Sequence, residues 1–241
     1  MMKTVREHGT RWFGYRRLGF VGGLIVAGLL FAGGIAFAAS QTVVGEADDT
    51  FSGGSGGMTP TYTTDQGEVV PFQVNGDSHN VTAHQNGPDG AALFRTPTIS
   101  GGTTGVQGTQ YLSAGNYTFF CTVHPTTMQA TLTVTGSGTP QARPTGSLSV
   151  RSKKLAKVSK KGILVAVTAS TTVDGASLTA KLGKTTIGKA GGLSFAAGQT
   201  SQTVKLSKAG RNKLKGKQKA TVSVTADIPF GAPATGKAKL T

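Results

Sequence analysis

Four residues in two separate segments carry side chains that could together hold one metal ion. Cys121 and His124 stand three apart, Met128 follows four residues later, and His79 precedes the cysteine by 42 residues. A thiolate, two imidazoles and a weak thioether suit copper, because Cu(I) favours soft sulfur and Cu(II) accepts imidazole. A geometry that both oxidation states tolerate needs little rearrangement when one electron moves. The four residues therefore predict a single copper site.

Each of these residues also has a simpler interpretation. Cys121 could be a small buried hydrophobe, and Met128 could be a core residue. His84 lies five residues after His79, with opposite strand parity, and is predicted to be a surface histidine. Zinc fits less well, since a structural zinc site would use more Cys or His and a thioether is a poor zinc ligand. A Cys–His nucleophile would lack a third group to orient it, so we expect no catalytic residue and no enzyme activity.

Short strands separated by turns must position these side chains. Runs such as VVPFQV and YTFFCTV alternate with turns rich in Gly, Asn and Asp. This pattern is typical of an antiparallel β-sandwich. The expected fold class is all-β, with a Greek-key sandwich at 60–136 and a Gly/Pro linker at 137–146.

The segments around the four residues resemble the cupredoxins, the small blue copper proteins that include plastocyanin, amicyanin and pseudoazurin. The resemblance covers roughly residues 45–135. It rests on HNV after a Gly-Asp turn, on GPDG…LF…PTI, and on YLSAGNYTFFCTVHP…M…ATLTV. It implies one type 1 copper ion bound by His79, Cys121, His124 and Met128. It also implies that Asn80 ties the two ligand loops together and that its backbone N–H points at the cysteine sulfur.

The first 39 residues indicate an export leader. A basic stretch, 1–17, precedes an uncharged apolar run, 18–39, that ends in Ala36-Phe37-Ala38, as at a signal peptidase site. The run is also long enough to span a bilayer as an N-terminal membrane anchor, and Arg16-Arg17 form a partial twin-arginine signal. We therefore expect an extracellular or cell-envelope protein with an N-terminal hydrophobic helix. Residues 40–59, rich in Gly and Ser, are predicted to be a flexible tether or a long loop at the start of the first domain.

Charge divides the rest of the chain into two parts. Residues 41–140 have a net charge of −6, whereas residues 147–241 carry eighteen Lys and Arg against two Asp. About seven short alternating strands in 147–241 predict a second sandwich, which loosely resembles the Lys-rich Ig-like modules of bacterial surface proteins. Its charge indicates an anionic cell-envelope polymer or membrane surface as partner, or else a solvated spacer. No nucleic acid is expected, because the domain is exported and Phe195 and Phe230 are its only aromatic residues.

The sequence thus predicts an exported one-electron carrier that docks weakly with an unidentified redox protein. By the family resemblance, His124 is the expected exit for the electron, with Pro125 in the docking patch. Two alternatives stay open. One is copper sequestration or delivery through the same ligands, and the other is a surface or adhesion protein in which the copper site is incidental.

Overall fold

A computed structural model describes residues 40–241. The leader and the hydrophobic helix expected at 1–39 lie outside the described residues. Within 40–241, no helix is both long and apolar enough to cross a membrane. Strands dominate this part of the chain, and the all-β fold class is confirmed.

The first sandwich consists of two four-stranded sheets. One sheet has the order β2-β1-β4-β6 and the other has the order β3-β8-β7-β5. Two neighbouring pairs, β1 with β4 and β3 with β8, run parallel, so the sheets are mixed rather than purely antiparallel. The strands are β1 (Val43–Glu46), β2 (Phe51–Ser52), β3 (Thr61–Gln66), β4 (Val70–His79), β5 (Thr82–Ala83), β6 (Ile99–Val106), β7 (Gly115–Phe120) and β8 (Gln129–Gly138), with a 3-10 helix at Thr109–Tyr111.

Strand β4 carries the first candidate ligand and contains an irregularity that re-aims it. Val70, Phe72 and Val74 alternate into the core, so continued alternation would turn His79 outward. Between Val74 and His79 the pairing with β6 shifts register, and Gly76 takes a φ of 109°. This resets the alternation, and the His79 side chain is buried instead.

Residues 40–59 do not form the flexible tether that was predicted from their composition. β1 pairs with β4, β2 pairs with β1, and the side chains of Val43 and Phe51 are buried in the core. Gly and Ser around these apolar residues suggested a linker, but pairing with a strand further along the chain orders them. The first sandwich therefore begins near residue 40 rather than at 60.

The second sandwich has its own separate hydrophobic core. Its sheets have the orders β13-β10-β9 and β12-β11-β14-β15. Seven strands agree in number with the pattern in the sequence, while the Ig-like assignment stays a prediction. The elements are β9 (Gly146–Val150), α1 (Leu155–Lys161), β10 (Ile163–Ala169), β11 (Val173–Leu182), β12 (Thr185–Phe195), β13 (Gly198–Val204), α2 (Lys208–Leu214), β14 (Ala220–Asp227) and β15 (Ala234–Leu240).

A polar cluster joins the two sandwiches. Asp89 of the first sandwich accepts hydrogen bonds from the Arg95 guanidinium and from the Phe230 N–H, both at 2.8 Å. The Arg95 guanidinium carbon lies 4.2 Å from the centre of the Phe230 ring. Arg143, in the connecting segment, donates to the Phe230 carbonyl oxygen at 3.3 Å. The Asp89 side chain is only 7% exposed, so the contact is shielded from water.

Candidate metal centre

Strand β4 and the loop after β7 bring three candidate ligands together. His79 ends β4, and Cys121 directly follows β7. One ligand atom from each of His79, Cys121 and His124 lies within 4.8 Å of the other two, and the Cys121 Sγ is 3.9 Å from the His79 Nδ1. An ion about 2.0 Å from nitrogen and about 2.3 Å from sulfur, with ligands about 120° apart, would set N and S about 3.7 Å apart. The spacing fits one first-row metal ion.

The loop that holds the last three predicted ligands is closed by its own backbone. The Cys121 N–H donates to the Met128 carbonyl, and the Met128 N–H donates to the His124 carbonyl, each at 3.0 Å. The side chains of Cys121 and Met128 are fully buried in the same core cluster. The structure thus places Met128 next to Cys121 and His124 through the backbone, and its ligation through sulfur stays a prediction.

Both histidines use their outer ring nitrogen for a hydrogen bond. The His79 Nε2 lies 2.9 Å from the Glu46 carbonyl oxygen, and the His124 Nε2 lies 3.2 Å from the Asp49 Oδ1. Since both partners can only accept, they assign the proton to Nε2 and leave the Nδ1 lone pair free on each ring. In this tautomer the Nδ1 of each ring is available to a metal ion.

The His124 Nδ1 supplies a test of whether a metal ion fits. This atom is buried and has no hydrogen-bond partner among residues 40–241. Burying an unpaired polar atom costs about 1–3 kcal/mol, so such atoms are uncommon in folded proteins. A metal ion between the Nδ1 atoms and the Cys121 sulfur would satisfy it, and the donor set of one thiol and two imidazoles suits copper.

Asn80 connects the segment of His79 to the segment of Cys121. Its backbone N–H donates to the Cys121 Sγ at 3.4 Å, as the family resemblance implied. Its side-chain amide donates to the hydroxyls of Thr98, at 2.9 Å, and Thr122, at 2.6 Å, and its Oδ1 accepts from the Thr122 N–H at 2.9 Å. These bonds set the separation between the first histidine and the cysteine.

The turn between β1 and β2 packs over the site from outside. Gly45 lies so close to the His79 ring that a Cβ at this position would be 3.0–3.1 Å from ring and Cβ atoms. The Glu46 carboxylate accepts from the Ser52 hydroxyl and from the Asn75 amide, which fixes the start of the turn. The Glu46 charge also adds to the effect of burial in raising the pKa of Tyr62 above its usual value. Composition had marked this segment as a tether, so its contribution to the site was missed.

The remaining histidine of the first sandwich does not join the site. His84 is exposed and stacks on the Phe120 ring with 4.5 Å between ring centres. Its placement agrees with the prediction of a surface histidine. The candidate ligand His124 is less exposed than His84, with 24% of its side chain accessible. Its neighbours Val123 and Pro125 are exposed.

Comparisons with known proteins give matches among solved structures alone. No protein-family model matches the sequence, and no curated protein matches it. A reduced Cu(I) form of an amicyanin mutant at pH 4 is similar over 43% of this chain and 90% of its own, with 22% identity and a TM-score of 0.30. The oxidized state of another amicyanin mutant covers 39% of this chain and 82% of its own, with 23% identity and a TM-score of 0.29. A bacterial ice-binding adhesin covers 74% of this chain and 59% of its own, with 20% identity and a TM-score of 0.25.

Proposed function

We propose that this protein binds one copper ion through His79, Cys121 and His124, with Met128 as a weak axial ligand, and carries single electrons. The observation that supports it most directly is the buried Nδ1 of His124, which has no hydrogen-bond partner among the described residues. One ring nitrogen of His124 lies within 4.8 Å of a ligand atom of His79 and of Cys121. Because the Nε2 of His124 is engaged by Asp49, we assign that nitrogen to Nδ1. Copper bound there would supply reversible one-electron chemistry.

The surrounding residues would keep the site rigid while the charge changes. Asn80 donates its N–H to the sulfur, which stabilises the thiolate, and its side chain holds the adjoining loop. Cys121 and His79 are fully buried, so water reaches neither. A rigid and dry ligand set lowers the structural cost of each change of oxidation state.

Burial also favours a carrier over a delivery protein. A delivery protein must release its ion to a partner, and this requires open ligands. Here His124 is the only one of the three predicted donors that is partly exposed. Exposed Val123 and Pro125 beside it form a small apolar patch suited to brief docking of a redox partner. The leader predicted at 1–39 supports export, so we assign this role to the cell envelope or the extracellular space.

The proposal is tested by adding Cu(II) to the purified full-length protein. We expect a one-to-one complex with intense visible absorption from thiolate-to-copper charge transfer, and reversible reduction. Cys121→Ser should abolish the colour and weaken binding, whereas His84→Ala is the matched control and should change neither. Unchanged colour and affinity in Cys121→Ser would refute the site. Colourless binding, or reduction followed by release, would favour copper delivery instead.

A further inference from the structure

The turn from Glu46 to Thr50 contacts both candidate histidine ligands, one through a backbone oxygen and one through a carboxylate. We infer that Asp49 is a positioning residue for the metal centre. Its carboxylate accepts the Nε2–H of His124 at 3.2 Å and so keeps the Nδ1 of that ring turned inward. The role in metal binding rests on the proposed function, whereas the control of the imidazole tautomer does not.

Asp49 is held in place by the turn itself. Its N–H donates to the Glu46 carbonyl at 3.1 Å, and its φ is 60°, a left-handed conformation that Asp adopts more readily than most residues. The Glu46 N–H in turn donates to the Thr50 carbonyl at 3.0 Å. The carboxylate therefore meets the imidazole without further ordering of the chain.

An anionic acceptor on the outer nitrogen has two consequences for the metal. It makes the inner nitrogen a better donor, and its negative charge favours Cu(II) over Cu(I). The Asp49 side chain is 46% exposed, so solvent screens part of the charge. Cu(II) affinity should therefore depend on Asp49 more strongly than Cu(I) affinity does.

The experiment compares Asp49→Ala, Asp49→Asn and Asp48→Asn in the full-length protein. Asp49→Ala removes both acceptor and charge, and Asp49→Asn keeps an acceptor oxygen. Asp48→Asn is the control, because Asp48 lies in the same turn but accepts from the Thr50 hydroxyl at 2.6 Å instead of an imidazole. We expect roughly a tenfold loss of Cu(II) affinity in Asp49→Ala, a smaller loss in Asp49→Asn, and nearly unchanged Cu(I) affinity. A tenfold change confined to Cu(II) raises the reduction potential by about 59 mV.

Histidine nitrogen NMR of the copper-free protein provides a readout that does not depend on metal. His124 should be the Nε2–H tautomer in the wild type and a mixture in Asp49→Ala, with Asp48→Asn like the wild type. Unchanged tautomer and unchanged Cu(II) affinity in Asp49→Ala would refute the inference, as would an equal loss in Asp48→Asn. If the wild type binds no copper while the tautomer still responds to Asp49→Ala, the proposed function and the role of Asp49 in metal binding fail, but its control of the His124 tautomer stands.

An independent feature, a basic groove, lies on the second sandwich. Three adjoining cavities of about 450, 120 and 520 Å³ share lining residues around α1 and α2. The first and second share Lys161 and Gly162, and the second and third share Ser159 and Arg211. The shared residues place the three cavities next to one another, and together they define the basic groove.

Every charged residue that lines this groove is a cation. Its cationic residues are Arg151, Lys153, Lys154, Lys157, Lys160, Lys161, Lys205, Arg211, Lys215 and Lys217, and no Asp or Glu lines any of the three cavities. The two acidic residues of this sandwich, Asp174 and Asp227, accept hydrogen bonds from Ser194 and Ser177 away from the groove. The groove charge is therefore not neutralised locally and will attract anions.

We propose that this groove binds a linear anionic glycopolymer that carries phosphate or carboxylate groups. A row of three adjoining cavities fits an extended chain better than the flat surface of a membrane. No aromatic side chain lines it, and single-stranded nucleic acid binding relies on aromatic stacking. Phe195 is fully buried, and Phe230 is engaged by Arg95 at the contact with the first sandwich.

The test compares polymer binding by two double variants, one with two lysines of the groove replaced by glutamate and one with two lysines outside it replaced by glutamate. Lys157→Glu with Lys161→Glu alters the groove, and Lys181→Glu with Lys184→Glu makes an equal charge change at exposed positions that line none of the three cavities. The probe is soluble poly(glycerol phosphate), with anionic lipid vesicles and single-stranded DNA as competitors. We expect at least about a tenfold loss of polymer binding in the groove variant alone, with a weaker salt dependence. Equal losses in both variants, or preferred binding of vesicles or DNA, would refute the proposal.

Discussion

Replacing Asn80 by Ala tests whether its side chain holds the two ligand segments together. The side chain is buried and makes three good hydrogen bonds, two to Thr122 and one to Thr98. A hydrogen bond contributes about 0.5–1.5 kcal/mol net, and Thr122 lies at the surface, where water replaces part of the loss. We therefore expect Asn80→Ala to lower the free energy of unfolding of the first sandwich by about 2–3 kcal/mol. Copper affinity should fall, because the two ligand segments are held less firmly. The colour should persist, because the hydrogen bond from the Asn80 backbone N–H to the Cys121 sulfur is retained.

The assay is urea unfolding of the copper-free protein, followed by far-ultraviolet circular dichroism. The two sandwiches have separate cores, so the transition of the first sandwich is the one to compare. Asn116→Ala is the matched control, because the Asn116 side chain is exposed and accepts one hydrogen bond, from the Thr133 hydroxyl at 2.9 Å. If Asn80→Ala costs less than about 1 kcal/mol, or no more than Asn116→Ala, the side-chain bonds do not hold the segments as argued.

Three further changes test other parts of the molecule. Met128→Leu conserves volume and should cost less than about 1.5 kcal/mol. If Met128 is the axial ligand, as proposed, the same change should raise the reduction potential in voltammetry, because an axial ligand tunes that potential. Burial raises the pKa of Asp89, but hydrogen bonds from the Phe230 N–H and Arg95 outweigh it and hold that pKa below its usual value. The Asp89 contribution to stability should therefore be complete above about pH 4 and lost as pH falls through the lowered pKa, and Asp89→Asn should remove this dependence in unfolding experiments. In Gly210→Ala, a Cβ would lie 2.1 Å from a backbone oxygen, so the second sandwich should lose about 1–3 kcal/mol in thermal unfolding while copper colour is unchanged.

The sequence alone was sufficient for the fold class and for the convergence of three candidate ligands. Strand alternation and turn residues report local conformation, and this is enough to predict an all-β chain. The short interval between Cys121 and His124 keeps both in one loop. His79 is distant in the sequence, so its partnership with them depended on the family resemblance and on donor chemistry.

The role of the turn between β1 and β2 could not be predicted, because it depends on non-local pairing. β1 has four residues and pairs in parallel with β4, and no local pattern reports such a pairing. Val43, Val44 and Phe51 are the apolar residues of high strand propensity in this stretch rich in Gly and Ser, and they are too few to predict strands. Without that pairing, neither the Glu46 carbonyl nor the Asp49 carboxylate would reach an imidazole.

The burial of His79 also escapes a simple alternation rule. Strict alternation of side chains from Val74 would place His79 on the outer face of the sheet. The irregular pairing near Gly76 turns the His79 side chain to the inner face instead. A register shift depends on the partner strand as much as on the strand itself, so the sequence of β4 alone cannot reveal it.

The contact of Asp89, Arg95 and Phe230 has an electrical consequence for the whole molecule. It holds the first sandwich, within a stretch of net charge −6, against the second sandwich, which has eighteen cationic and two anionic residues. Because this contact opposes independent tumbling of the two sandwiches, the separation of charge is not averaged out. The protein should therefore have a large permanent dipole moment. Near a negatively charged surface, that dipole would turn the basic half inward and present the acidic half, with its candidate metal centre, to the surrounding solution.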